Sequence, residues 1–290
     1  MAEQQLSDLI PRFDLRGMDL QLERMRHAIQ ALGSPCGDIP AIQVAGTNGK
    51  GSIVSFLSAA LQQASILSGV TTSPHLVSWC ERIAIDGIPI SETQLRQLLL
   101  AQKQLCAKHQ LTPFEQLLTA ALAHFHAESV DLLVLEVGLG GRLDATTAHP
   151  NRPVIAMASI GLDHCEHLGS TLTAIATEKA AVITPGARVI SAEQPEAVRD
   201  VLEQTCSANN ADLQWVDPLP KDWSLGLAGD WQRRNAAVAR GALQALDRLG
   251  WSLDEATIRA GLAQARWRGR LQTVTWQGHP LLLDGAHNPP

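Results

Sequence analysis

The sequence is poor in lysine, has no closely spaced cysteine pair and contains no long apolar run, and each shortage removes a class of protein. Only five lysines (Lys50, Lys103, Lys108, Lys179 and Lys221) occur in 290 residues of formal net charge −6. Counterion release on nucleic acid or an anionic membrane needs clustered cations, so neither partner is expected. The cysteines Cys36, Cys80, Cys106, Cys165 and Cys206 are odd in number and lack a C-x-x-C spacing, which argues against zinc or redox chemistry and for reduced thiols. The N-terminus MAEQQLSDLIPRF has no basic-then-apolar signal, and no stretch approaches the ~18 apolar residues that span a bilayer. A cytoplasmic protein is expected. There is no internal repeat and no low-complexity tract, which excludes solenoid and linker architectures.

What is present is an ordinary globular composition, 45% hydrophobic and 18% charged. The length suits one extended α/β domain, or one domain and a fragment of another. The run from Ile42 to Ala45 ends in GTNGKGS and continues into IVSFLSAALQQA, whose apolar residues recur at helical spacing. That reads as strand, glycine-rich turn and helix. Asp131 to Gly138 (DLLVLEVG) and Pro153 to Gly161 (PVIAMASIG) are too continuously apolar for edge strands and suit the middle of a parallel sheet. Helices are expected over about Ser91 to Lys108, opened by a Ser91/Gln94 capping box, and over Pro113 to Glu128. A helix from about Thr171 to Ile183, a strand at Arg188 to Ala192 and a helix at Pro195 to Ala208 continue the alternation. The expected fold is α/β, a doubly wound and mostly parallel sheet with a phosphate loop. Asn209 to Gly229 reads as loop or short strands, two helices follow, and RLQTVTWQGHPLLL reads as a hairpin turning near Gln277 and Gly278.

Four features carry chemistry. In GTNGKGS, Gly46 to Ser52, glycines let backbone N–H groups approach an anion, Lys50 can reach terminal phosphates, and a hydroxyl opens a helix. The spacing departs from strict G-x-x-x-x-G-K-[ST], so an ordinary glycine-rich turn stays open. Glu136 ends a buried strand, where a carboxylate must be paired or bind a metal; beside a phosphate loop it is an expected oxygen ligand for Mg²⁺, or else a satisfied structural acid. His164, after the third buried strand, is a metal ligand or an exposed loop histidine. Lys179 is a functional amine or a solvated helical lysine.

GTNGKGS, TSPHLVSWCERI, TPFEQLLTAALAHF, LEVGLGGRLDATTA, SIGLDHCEHLGSTLTAIATEKAAVI, QRRNAA, RGRLQ and DGAHNP, in this order, resemble the folylpolyglutamate synthase / dihydrofolate synthase family of the Mur ligase superfamily. The likeness runs from about Gly17 to the end. It implies a Mur-ligase-like ATPase domain over residues 1–270, with 271–290 beginning a C-terminal glutamate-binding domain. It implies that Thr47, Asn48, Gly49, Lys50, Gly51 and Ser52 wrap the ATP phosphates, and that Ser73, Glu136 and His164 hold magnesium. Lys179 would be carboxylated to a carbamate supporting a second magnesium, with Lys50, Lys179 and His164 as the catalytic set. Asn235, Arg270 and Asp284, with His287 near it, would contact nucleotide. Arg12, Phe13, Phe114, Glu115, Leu143, Asp144 and Ala145 would lie against the pterin-bearing substrate, although Phe114 equally reads as core packing and Glu115 as a helix cap.

The implied partners are ATP, L-glutamate and dihydropteroate or folates, handled by a monomer. The implied reaction phosphorylates a carboxylate and lets the glutamate amine attack the acyl phosphate. Trp79 and Cys80, and Cys165, Glu166 and His167, depart from the family pattern. Family members also continue for about another domain of ~100–150 residues beyond DGAHNP, so weak turnover is expected of this chain. A P-loop kinase or hydrolase, or a nucleotide-binding fragment without activity, remains the alternative.

Overall fold

Period-two alternation within nearly all-apolar strands decides how the chain layers itself, as the computed structural model shows for residues 6–10 and 21–286. In chain order the strands are β1 (Ala41–Ala45), β2 (Ser68–Thr71), β3 (Ile83–Ile85), β4 (Ile88–Pro89), β5 (Leu132–Glu136), β6 (Val154–Met157), β7 (Arg188–Ala192) and β8 (Asp212–Val216). They form one sheet in the order β4-β3-β2-β5-β1-β6-β7-β8. Neighbours from β2 to β8 are parallel, whereas β3 and β4 run antiparallel at one edge. The expected doubly wound, mostly parallel sheet is what forms.

Ile42, Val44, Leu132, Val134, Val154 and Ala156 face one layer, made by helices Lys50–Gln63, Trp231–Gln244 and Glu255–Gln264. The intervening Leu133 and Leu135 face the layer containing helices Leu22–Ala31, Glu92–Ala101 and Pro113–Ala127. Ile155 and Met157 face helices Leu172–Ala180 and Glu196–Ala208. Strands covered on both sides have no polar face to show, which is why their sequences read as continuous apolar runs.

Two expectations change. The helix expected over Ser91 to Lys108 keeps its Ser91/Gln94 capping box but is two helices, Glu92–Ala101 and Lys103–Lys108. They break at Gln102 (φ −92°, ψ 1°), a buried residue whose Nε2 donates to the Thr119 carbonyl of the neighbouring helix. Leu95, Leu99 and Cys106 stay buried across the break, so apolar spacing alone gives no sign of it. The strand β2 and the β3–β4 turn, absent from the expectation, precede and follow the Ser73 loop.

After Gly229 come the two expected helices, and then β9 (Gln272–Trp276) and β10 (His279–Leu283) pair as a separate antiparallel hairpin. Gln277 and Gly278 both take positive φ, 50° and 82°, as a two-residue hairpin turn of the type I′ class requires. Among the described residues, no helix is long and apolar enough to cross a membrane.

Candidate functional site

The order of the sheet makes the site. β1 lies between β5 and β6, and Val44 is in register with Glu136 while Ala45 is in register with Met157. The segments leaving β1, β2, β5 and β6 therefore emerge together at the carboxyl edge, where the connections diverge and a crevice opens.

The phosphate loop leaves β1 at Gly46 and enters the 14-residue helix Lys50–Gln63, which no side chain caps. Its first N–H groups and its dipole are thus directed at the crevice. Gly49, at the cap position, has φ 98°, and a Cβ there would collide with Asn235 Oδ1. Only glycine permits that close approach, which fixes Asn235 against the loop. The backbone N–H groups of Thr47 and Asn48 donate to the Ser159 carbonyl at 2.7 and 3.1 Å, and Thr47 Oγ1 donates to the Gly161 carbonyl at 3.1 Å. Those two residues anchor the loop to the segment after β6.

Lys50 Nζ donates to the Gly46 and Thr47 carbonyls at 3.1 and 3.0 Å. Burial lowers its pKa, opposed by the nearby carboxylates of Glu136, Asp144 and Asp163. Lys179, 4% exposed at the end of its helix, reaches the same Gly46 carbonyl at 2.9 Å. Its amine is lowered to about 7, first by burial and then by Lys50. The solvated-lysine reading is excluded. Glycine again sets the geometry: a Cβ on Gly141 would meet the Glu178 and Lys179 carbonyls at 2.7 and 2.9 Å. The Arg142 N–H donates to the Glu178 carbonyl at 3.0 Å, so this loop grips the lysine-bearing turn.

Glu136 is 3% exposed, and Oε2 accepts from the Ser73 N–H at 3.0 Å. That is the carboxylate's only hydrogen bond among the described residues. Desolvation lifts its pKa to about 7 against the pull of Lys50. A buried carboxylate with one oxygen unclaimed, a serine at its side and Lys50 nearby offers the hard oxygen donors that Mg²⁺ prefers. The expected third ligand is differently placed. His164 sits in the left-handed region (φ 49°), and its 41%-exposed ring lies 3.9 Å from Asp163 and 3.8 Å from Glu166, with no hydrogen bond to Ser73 or Glu136. Among the described residues no three His, Cys, Asp or Glu side chains converge on a metal-sized point. Of the three expected ligands, the structure brings Ser73 and Glu136 into contact, through the Ser73 N–H, and places His164 apart.

A cleft of about 1170 Å³ opens beside the loop, lined by Asn48, Gly49, Ser52, Asn235, Arg270 and Asp284 among others. The structure thus brings six of the expected nucleotide residues to one cleft, from both ends of the chain. Asp284 is also a local clamp, accepting from the N–H groups of Leu271 and Ala286 at 2.8 Å each.

The expected substrate residues divide. Glu115 closes a capping box with Thr112 and pairs with Arg24 Nε through both oxygens at 2.9 Å. Asp144 accepts from Gly138, Leu139 and Thr146 N–H groups and from Thr146 Oγ1. Both carboxylates are hydrogen-bonded inside the protein, Glu115 as the helix cap the sequence also allows and Asp144 as the anchor of its loop. Phe114 is half-buried against Gly138, Leu143 is half-buried and Ala145 is buried. Arg12, Phe13 and His287 lie outside the described residues. Arg82 was missed: it is buried, donates from Nε to His75 Nδ1 at 2.8 Å and lies within electrostatic reach of Glu136. Its signal was its place in the ERI of TSPHLVSWCERI.

A scan against models of known protein families finds no match. Among individual proteins, the chain is 36% identical over 307 residues to a dihydrofolate synthase/folylpolyglutamate synthase of Bacillus subtilis, covering 94% of this chain and 70% of the relative. It superposes on a Mycobacterium tuberculosis folylpolyglutamate synthase complexed with ADP and AMPPCP with TM-score 0.86 and 32% identity, over 93% of this chain and 68% of that one. A folylpolyglutamate synthase–AMPPCP–folate complex matches with TM-score 0.88 and 28% identity, over 99% of this chain and 78% of that one.

Proposed function

From the fact that the chain belongs to the folylpolyglutamate synthase / dihydrofolate synthase family of ATP-dependent ligases, we propose that it activates the carboxylate of dihydropteroate or of a folylpolyglutamate with ATP and joins it to L-glutamate. The observation that carries this reading is the buried Glu136 carboxylate, one hydrogen bond short, in reach of Lys50 and at the mouth of an uncapped phosphate loop.

A carboxylate does not expel oxide, so its carbon accepts an amine only after an oxygen has become a leaving group. The loop places N–H groups and Lys50 where a triphosphate terminates, and the γ-phosphoryl passes to the substrate carboxylate with ADP leaving. The glutamate nitrogen then attacks the acyl carbon, the C–O bond to phosphate breaks, and the amine gives up a proton. Ser73 and Glu136, with His164 as the further ligand the family resemblance implies, would hold a Mg²⁺ ion, which would supply charge neutralisation at the phosphates. Lys179, held near neutrality by burial, has a lone pair to attack the carbon of CO₂. Loss of the ammonium-type proton leaves a carbamate anion, an oxygen donor suited to a second Mg²⁺. Phe114, at the start of the helix capped by Glu115, and Leu143, on the loop held by Asp144, offer partly open apolar surface for a pterin.

The hairpin β9–β10 forms no part of the main sheet, and β10 is exposed along its whole length. We assign residues 271–290 to a glutamate-binding unit and residues 1–270 to the ATP-binding unit. The test is ADP release with dihydropteroate or tetrahydrofolate, with and without glutamate. Glutamate- and pterin-dependent release supports the reading. Release indifferent to both substrates would make the protein a nucleotide hydrolase instead.

A further inference from the structure

One large aromatic at the cleft has no role in the phosphate chemistry. Trp231 opens the helix Trp231–Gln244, lines the cleft and is 72% exposed. One face of its indole carries the Arg234 guanidinium, 4.9 Å from the ring centroid, and Arg234 is itself within 3.8 Å of Glu193. The ring is thus held from behind while most of its surface stays open. Leu162 and Leu271, also exposed, line the same cleft as Asn48 and Gly49 of the phosphate loop.

The spacing gives this surface a purpose. Trp231 stands four residues before Asn235, on the same helix face, and Asn235 is the side chain pressed against Gly49 of the phosphate loop. Four residues advance a helix by ~6 Å, which is the length over which a ribose separates a nucleotide's phosphates from its base. An indole one turn beyond the phosphates, held on one face and open on the other, meets the requirement for stacking a flat heteroaromatic ring.

We propose that Trp231 is the nucleobase platform of this cleft and selects purine over pyrimidine nucleotides through stacking area. The inference rests on the nucleotide-binding reading above. Arg234 and Glu193 are positioning residues that keep the indole upright.

The test uses calorimetric titration of the chain and its Trp231→Ala and Trp231→Phe variants with ADP, CDP and inorganic tripolyphosphate in the presence of Mg²⁺. ADP affinity is expected to fall roughly ten-fold or more in Trp231→Ala and to stay within about three-fold in Trp231→Phe, which retains a ring. CDP should lose less, so the preference for ADP collapses, while tripolyphosphate, which has no base, binds all three proteins alike. Because the side chain is exposed, the variants should melt with the parent. Unchanged ADP affinity in Trp231→Ala overturns the proposal. So does an equal loss for all three probes, which would show that the residue only shapes the cleft. If the parent binds ADP and tripolyphosphate with no preference for base, the platform fails while the phosphate site stands; if it binds neither, both fall together.

Discussion

Two buried acids, Asp144 and Glu136, sit at the same carboxyl edge of the sheet, and the contrast between them separates architecture from function. Asp144 accepts three backbone N–H groups and a hydroxyl. Glu136 accepts one N–H. Burial raises the pKa of each, but at Asp144 the opposing influences are local hydrogen bonds, whereas at Glu136 the largest is the charge of Lys50. A buried acid saturated with local donors is a clamp. One short of donors and facing a cation is a place where something else binds.

The comparison breaks most readily at the clamp. Asp144→Ala leaves three N–H groups without their acceptor and should destabilise the chain by about 3 kcal/mol or more, read as a lower denaturant midpoint. Glu136→Gln should cost almost no stability at neutral pH, since it removes a charge whose burial was poorly compensated. If both variants were equally unstable, Glu136 would be a clamp as well.

Lys179 sharpens the contrast through pH. Its amine is lowered from 10.5 to about 7 in the folded chain, so between those values the unfolded chain holds a proton that the folded chain lacks. Stability contributed by this group therefore rises with pH from about 7 toward 10.5, with a slope of at most about 1.4 kcal/mol per pH unit for one proton. Lys179→Met should flatten that rise and stabilise the chain at pH 7. A parent and variant with parallel stability–pH curves would contradict the placement of this amine.

The smallest effect belongs to the surface. Arg142 and Glu178 pair at 3.0 Å with side chains 56% and 27% exposed, and Arg142→Ala should cost under ~1 kcal/mol. By contrast Gly141→Ala, one residue earlier, forces a methyl group against two carbonyls of the Lys179 turn and should cost more than its exposed neighbour. Comparing their melting temperatures ranks the two contributions.

Much of this was legible in the sequence because strands buried on both faces announce themselves. AIQVA, LLVLE and VIAM are apolar but for the buried Gln43 and the terminal Glu136, and each is followed by its functional loop. The break at Gln102 was illegible because a helix kinked at one buried polar residue keeps its apolar spacing. β2 was illegible because SGVT offers only one large apolar side chain. The roles of Glu115 and Asp144 depended on partners far away or on loop closure: Arg24 lies 91 residues from Glu115, and only the folded loop shows that four donors converge on Asp144. Trp231 stands immediately before QRRNAA, and its exposure is a property of the fold that spacing does not encode.

The most direct measurement is the affinity of ADP for the parent chain and for Glu136→Gln, each titrated with and without Mg²⁺. The account predicts that Mg²⁺ tightens binding to the parent by roughly ten-fold or more and leaves the variant unmoved, with both proteins equally stable. Equal tightening of both proteins by Mg²⁺ would show that the ion binds elsewhere and that the lone hydrogen bond at Glu136 marks no site.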